Sequence, residues 1–198
     1  MADSSSTNQN PPILPLEKGG EGGFTPSRPR AASHGTPEPS GAEKLPPAAQ
    51  ELLARSQEAL AEFHPQPGAL GDLPQLTVEA QHIAQVCRRA KEDPRLDFKM
   101  LHCLAGVDYQ DHLQVVYFLH SLSQERTLVI KANVPVDSPR LPSVTTVWAA
   151  ADWYEREAHD LFGISFDGHP NMAPLLLYEG FEGYPGRKDF PFYDYQEF

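Results

Sequence analysis

The densest chemistry in this chain lies between Trp153 and Pro170, in Trp-Tyr-Glu-Arg-Glu-Ala-His-Asp-Leu-Phe-Gly-Ile-Ser-Phe-Asp-Gly-His-Pro. On a helix, Asp152, Arg156 and Asp160 fall at i, i+4 and i+8, which sets one guanidinium between two carboxylates. Glu155 falls one turn before His159, and Glu157 one turn after Trp153 on the more apolar side. Two glutamates so close have the composition of a general acid/base pair. No nucleophile or metal set accompanies them, so that reading ranks last. As a solvated face, each ion pair would contribute only about 0.2–0.5 kcal/mol. As a buried network, the cluster would fix the helix or a partner in one orientation. Arg156 suits that role, because a planar guanidinium serves two carboxylates or backbone carbonyls at once.

The second concentration is Gly180-Phe-Glu-Gly-Tyr-Pro-Gly-Arg-Lys-Asp-Phe-Pro191. Taken alone, Arg187-Lys188-Asp189 is a charged turn between prolines. Around it stand Phe181, Tyr184, Phe190, Phe192, Tyr193, Tyr195 and Phe198, in a stretch with no helical or strand periodicity. So many aromatics do not belong in water, and aromatics with Arg are the residue types that anchor interfaces. The expectation is an extended arm lying in a groove of another subunit. His169, in the turn before Pro170, is expected to anchor that arm by packing or hydrogen bonding.

Other chemistry is sparse. There is no Cys-x-x-Cys for iron–sulfur or structural zinc and no Gly-x-Ser-x-Gly elbow. Gly19-Gly-Glu-Gly-Gly23 lacks the Lys-Ser/Thr of a phosphate cradle and reads as a spacer. His102, His112, His120 and His159 are scattered, without the His-Glu-x-x-His spacing of a helical metal site, so ordinary hydrogen bonding is their expected role.

The elements that must position these residues follow from periodicity. A helix is expected over 48–63, with Leu52, Leu53, Leu60 and Phe63 on one face. His64-Pro-Gln-Pro-Gly68 breaks it. A short strand over 76–80 precedes a helix over 80–92, with Ile83, Val86, Cys87 and Ala90 in phase and Pro94 as a stop. Three β-rich runs follow, over 98–107, 113–122 and 126–134, the last two joined as a hairpin at Ser123-Gln-Glu125. Residues 143–147 read as a short strand or extended link. The last helix is expected over 148–162, with Trp153, Tyr154, Ala158, Leu161 and Phe162 as its apolar side and Gly163 as its stop. This order predicts an α+β fold, a mainly antiparallel sheet with packed helices.

Residues 1–47 hold nine of the 20 prolines and six of the 14 glycines, with few aromatic or β-branched side chains. That composition cannot offset its ordering entropy, so a disordered tail is expected there, followed by a domain over 48–166 and an arm over 167–198. Asp3 and a first arginine only at Arg28 argue against a transit peptide, and no run resembles a signal peptide. No apolar run approaches the ~20 residues of a spanning helix. A net charge of −11 disfavours nucleic acid and direct adsorption to an anionic membrane. With Cys87 and Cys103 the only cysteines, a reducing compartment is expected.

At these residues the chain resembles the family of C subunits of NADH-quinone oxidoreductase, respiratory complex I. The family pattern Glu-Arg-Glu, two residues, Asp, two apolars, Gly-Ile, then Gly-His-Pro is matched at Glu155–Glu157, Asp160–Ile164 and Gly168–Pro170. The closing Gly-Phe-Glu-Gly-x-Pro-x-Arg-Lys-Asp-Phe-Pro is matched from Gly180 to Pro191. The likeness covers about residues 75–198. One departure is Ala173-Pro174, where the family usually carries basic residues; any contact those make is absent or replaced here. The resemblance implies a cofactor-free peripheral-arm subunit with no catalytic residue of its own. Its partners would be the quinone-pocket subunit and iron–sulfur subunits of a complex that carries electrons from NADH through FMN and iron–sulfur clusters to quinone and pumps protons. It would sit on the cytoplasmic side of the inner membrane, reaching it only through the complex. Structural and interface roles are then expected at Glu155, Arg156, Glu157, Asp160, His169, Arg187, Lys188, Asp189 and Phe190. Three other readings stay open: the equivalent subunit of a membrane-bound hydrogenase or other multisubunit dehydrogenase, a stand-alone binding module, and a metal-dependent hydrolase built on Glu155, Glu157, His159 and His169.

Overall fold

Pro46 and Pro47 open the first helix, α1 (Pro47–Ala59), where a missing N–H costs nothing because the first turn has no intrahelical acceptor. The computed structural model describes residues 41–191. Leu52, Leu53, Ser56 and Ala59 form the buried face of α1. A 3-10 turn over Ala61–Phe63 follows, and His64 turns the chain with φ 49°. The next stretch was expected only to break the helix; instead Gln66–Leu70 is a strand, β1, paired antiparallel with β2 (Leu73–Glu79). Pro67 is tolerated because β1 is the edge of the sheet, where a missing donor faces outward.

Helix α2 (Ile83–Glu92) buries Ile83, Val86, Cys87 and Ala90, the expected stripe. Strands β3 (Met100–Asp108), β4 (His112–Ser121) and β5 (Arg126–Pro135) then form an antiparallel meander, with β4 and β5 joined through the expected hairpin. The five-stranded sheet has the order β1-β2-β5-β4-β3, and only the β2–β5 pair is parallel. The architecture is therefore α+β with a mainly antiparallel sheet.

Side chains alternate across each strand. Leu76 and Val78 of β2, Leu128, Ile130, Ala132 and Val134 of β5, and Leu113, Val115, Tyr117 and Leu119 of β4 share one core with the buried stripes of all three helices. Each leucine taken wholly out of water there contributes about 1.5–3 kcal/mol.

Three further differences from the sequence-based expectation have physical causes. A 3-10 turn at Gly41–Lys44 and Leu45, 3 % exposed, already belong to the packed domain; the leucine finds a core that the proline content around it hides. The earlier part of the expected tail, residues 1–40, lies outside the described residues. Residues 143–147, expected as a short strand or extended link, form no strand: 143 and 144 lead as a link into a turn over 145–147, and the last helix, α3 (Ala151–Phe162), starts three residues later than expected. Strands of three residues, β6 (Arg140–Pro142) and β7 (Ser165–Asp167), pair in parallel around it, a contact too short to leave a periodic trace.

Candidate functional site: the last helix and its clamped arm

Helix α3 ends at Gly163, whose φ of 71° is the left-handed stop that a glycine adopts without strain. Its buried residues are Ala151, Glu155, Ala158 and Asp160; of the apolar side expected, Ala158 is buried and Tyr154 and Phe162 pack against the core, whereas Trp153 does not. Trp153 is 61 % exposed, whereas Glu155 is fully buried. The rotation has a chemical reason. Ser143 Oγ donates to Glu155 Oε2 at 2.6 Å and the Val144 N–H donates to Oε1 at 2.7 Å, so the carboxyl is satisfied inside by the turn that precedes the helix. Burial pushes the Glu155 carboxyl up to about 7 against the pull of those two donors, and Asp152 raises it further.

The stripe Asp152, Arg156, Asp160 faces the arm and reads it in order. His169 places Nε2 3.1 Å from Asp152 Oδ1 and 3.2 Å from the Asp152 carbonyl, and its Nδ1 accepts the Asn171 N–H at 3.1 Å. The Nε2 atom is thus the donor of the ring. Arg156 gives Nε–H to the Ala173 carbonyl at 2.8 Å and an Nη2–H to the Pro174 carbonyl at 3.0 Å. It bridges no carboxylates, which corrects the expected guanidinium between Asp152 and Asp160. Asp160 Oδ2 accepts the N–H groups of Leu175, Leu176 and Leu177 at 2.7, 2.8 and 3.3 Å. Desolvation works to raise the Asp160 carboxyl, but these donors outweigh it and hold the group below the usual carboxylate range. The arm therefore runs along α3 in the helix's own direction, one anchor per turn.

The far end is fastened at the helix stop. The Gly186 N–H donates to the Leu161 carbonyl at 2.8 Å, and Arg187 Nε donates to the Phe162 carbonyl at 2.8 Å while stacking over Tyr184. These two bonds satisfy helix carbonyls that have no partner within α3. The Lys188 N–H reaches Asp108 Oδ2 at 2.8 Å, across from the end of β3. Phe190 stacks on Phe181 with ring centroids 6.0 Å apart, and Asp189 is exposed. Up to Pro191, then, the arm is fastened to its own chain. Phe192, Tyr193, Tyr195 and Phe198 lie outside the described residues.

Glu157 is exposed and makes no pair with Glu155, which points the other way. His159 Nδ1 contacts the Ile164 carbonyl at 2.9 Å. Glu155, Glu157, His159 and His169 thus serve four separate places, and the described residues contain no group of three or more potential metal ligands. Sequence reasoning missed Ser143 and Val144 as partners of Glu155, and Asp108 as the receiver of the arm; no spacing rule links positions so far apart. Beside the exposed charges Glu157, Glu179, Glu182, Lys188 and Asp189, large apolar side chains remain open to solvent. Trp153, Leu176, 59 % exposed, and Tyr178, 72 % exposed, lie on α3 and the arm, with Arg156 5.5 Å over the Trp153 ring.

These features define a two-layer α+β domain whose C-terminal arm is clamped on its last helix. The profile of the family described as respiratory-chain NADH dehydrogenase, 30 Kd subunit, matches residues 76–196, and the chain belongs to that family. It is 43 % identical over 120 residues to the C subunit of NADH-quinone oxidoreductase of Salinispora arenicola, covering 59 % of this chain and 49 % of the relative. It is 40 % identical over 133 residues to C subunit 2 of NADH-quinone oxidoreductase of Rhizobium meliloti, covering 66 % and 72 %. The chain thus spans between about half and three quarters of these relatives. A solved structure of the membrane-bound sulfane sulfur reductase, an archaeal respiratory membrane complex, contains a similar chain, with TM-score 0.61 and 26 % identity over 73 % of this chain and 86 % of that one.

Proposed function

We propose that this chain is a cofactor-free peripheral-arm subunit of NADH-quinone oxidoreductase, which scaffolds the subunits that carry electrons from NADH through FMN and iron–sulfur clusters to quinone. The observation that carries this reading is the clamped arm. Every charged residue of the α3 stripe is committed to the shape of the arm, and none is aimed at an open reacting centre. The product of that investment is a rigid outer surface bearing Trp153, Leu176 and Tyr178, the composition of a subunit interface. Residues 167–198 form the contact arm in this reading, Glu155 and Asp160 act as its supports, and Asp189 and Lys188 lie at its rim. The partners are the quinone-pocket subunit and iron–sulfur subunits. Among the described residues no helix is long and apolar enough to cross a membrane, which suits contact through the complex on the cytoplasmic side.

The likeness to a chain of the archaeal sulfane sulfur reductase favours one second reading, a related membrane-bound respiratory complex with another electron donor. Native-gel fractionation of gently solubilised membranes, probed for this chain and stained for NADH oxidation, separates the two. Comigration with a large NADH-oxidising band is the expected result. A large band without that activity would transfer the subunit to the related complex, and a small soluble species would overturn both readings.

A further inference from the structure

Among the described residues, the core of this domain contains an acid with no cation to neutralise it. Glu155 is fully buried, and both of its oxygens are committed to one segment, the Ser143–Val144 turn. From the other elements packed around it, the titratable groups that feel its charge are the Cys87 thiol of α2 and the Tyr117 hydroxyl of β4; both are fully buried and pushed up first by desolvation, with the Glu155 charge second at Cys87 and behind that of Cys87 at Tyr117. On its own helix the group that acts on it is the Asp152 carboxylate, which is also negative when ionised. Thr145 backs Ser143, with the two hydroxyl oxygens 2.8 Å apart. Lys91 of α2 spends its ammonium on the Val147 carbonyl at the other end of the turn. The Tyr117 hydroxyl is the remaining polar atom of the cluster, and it has no hydrogen-bond partner among the described residues. A buried donor without a partner thus lies within the field of the acid.

We propose that Glu155, Ser143, Val144 and Tyr117 form a proton-operated latch between α3 and the turn that precedes it, closed most firmly when Glu155 carries its proton. The inference does not depend on which complex the subunit serves. With its proton, the carboxyl is neutral and its burial carries no charge penalty. Without it, the ionised group must either draw in the Tyr117 hydroxyl or open the turn to reach water. The direction is that of a group whose folded-state value, about 7, lies above the ordinary 4.5. Its contribution to stability is complete below the ordinary value, declines as pH rises between the two, and is lost above the folded value. Between pH 6 and 8 the local opening of the latch becomes about tenfold more populated. Because Asp152, Arg156 and Asp160 all stand on α3, that opening reaches the anchors of the arm.

The test is a titration of the full chain with carbon-13-labelled glutamate side chains, read by NMR, beside urea unfolding at pH 6 and pH 8. One glutamate is expected to titrate near 7, and its signal to vanish in Glu155→Gln. The fall in urea midpoint from pH 6 to 8 is expected to shrink in the same variant, which also removes histidine titration as its cause. Tyr117→Phe, which deletes only an unpartnered hydroxyl, is expected to move the glutamate midpoint upward. If every glutamate titrates below pH 5, or if Tyr117→Phe leaves the midpoint in place, the latch is overturned; both readouts hold even where Glu155→Gln fails to fold.

Discussion

Asp160 and Glu155 sit five residues apart on one helix and titrate in opposite directions, because donors win at one and burial wins at the other. Asp160 accepts three backbone N–H groups with one oxygen. Asp160→Ala strands those donors, and a cost of about 2 kcal/mol is expected, since water reaches part of the arm. Because the folded carboxyl lies below its ordinary value, its contribution is present above that value and is lost as pH falls through the lower folded one. Urea unfolding at pH 6 should therefore separate wild type from variant, and the gap should narrow towards pH 3; a constant gap would mean that the charge of Asp160 plays no part. The sequence made Asp160 a candidate through its place in the stripe. It could not show that its partners would be backbone, because those donors lie 15 to 17 residues away with no side-chain signal.

At the scale of elements, the fit of α3 against β3 and the arm depends on places where a side chain is missing. A Cβ on Gly163 would lie 2.5 Å from the Tyr184 ring, and the left-handed φ would be strained as well. Gly163→Ala is expected to cost about 1–2 kcal/mol from the backbone alone, and more from displacing the ring. In a Tyr184→Ala background the ring term disappears, so thermal denaturation of the four-member cycle should show a smaller cost there. Equal costs in both backgrounds would place the whole effect in the backbone. Elements with a full period were legible in the sequence: α1, α2 and the β3–β5 meander stand close to where alternation and helical spacing put them. The β1 strand with Pro67, and the three-residue β6 and β7, carry no period and were not. The orientation of α3 was misread for a different reason. Apolarity alone turns Trp153 inward, and only the Ser143–Val144 turn, packed from outside the helix, makes it cheaper to bury Glu155.

For the whole molecule, the division of labour between inside and outside decides what a partner can find. The arm's backbone groups at 173–177 are turned towards α3, and among the side chains left in solvent are large apolar ones. If that surface exists for assembly, altering it should separate folding from incorporation. Trp153→Ala with Leu176→Asp removes two exposed apolar groups of α3 and the arm and leaves the side chains of Asp152, Arg156, Asp160 and His169 that anchor the arm unaltered. Exposed positions of this kind change stability by no more than about 0.5 kcal/mol, so the purified variant should unfold at nearly the wild-type urea concentration. In membranes, the same variant should leave the large complex and appear as a small species, because an aspartate in a desolvated apolar contact is costly when unpaired. Asp160→Ala provides the contrast, losing incorporation only together with stability. Full incorporation of the surface variant would remove Trp153 and Leu176 from the interface and leave Tyr178 and the later part of the arm to carry the contact.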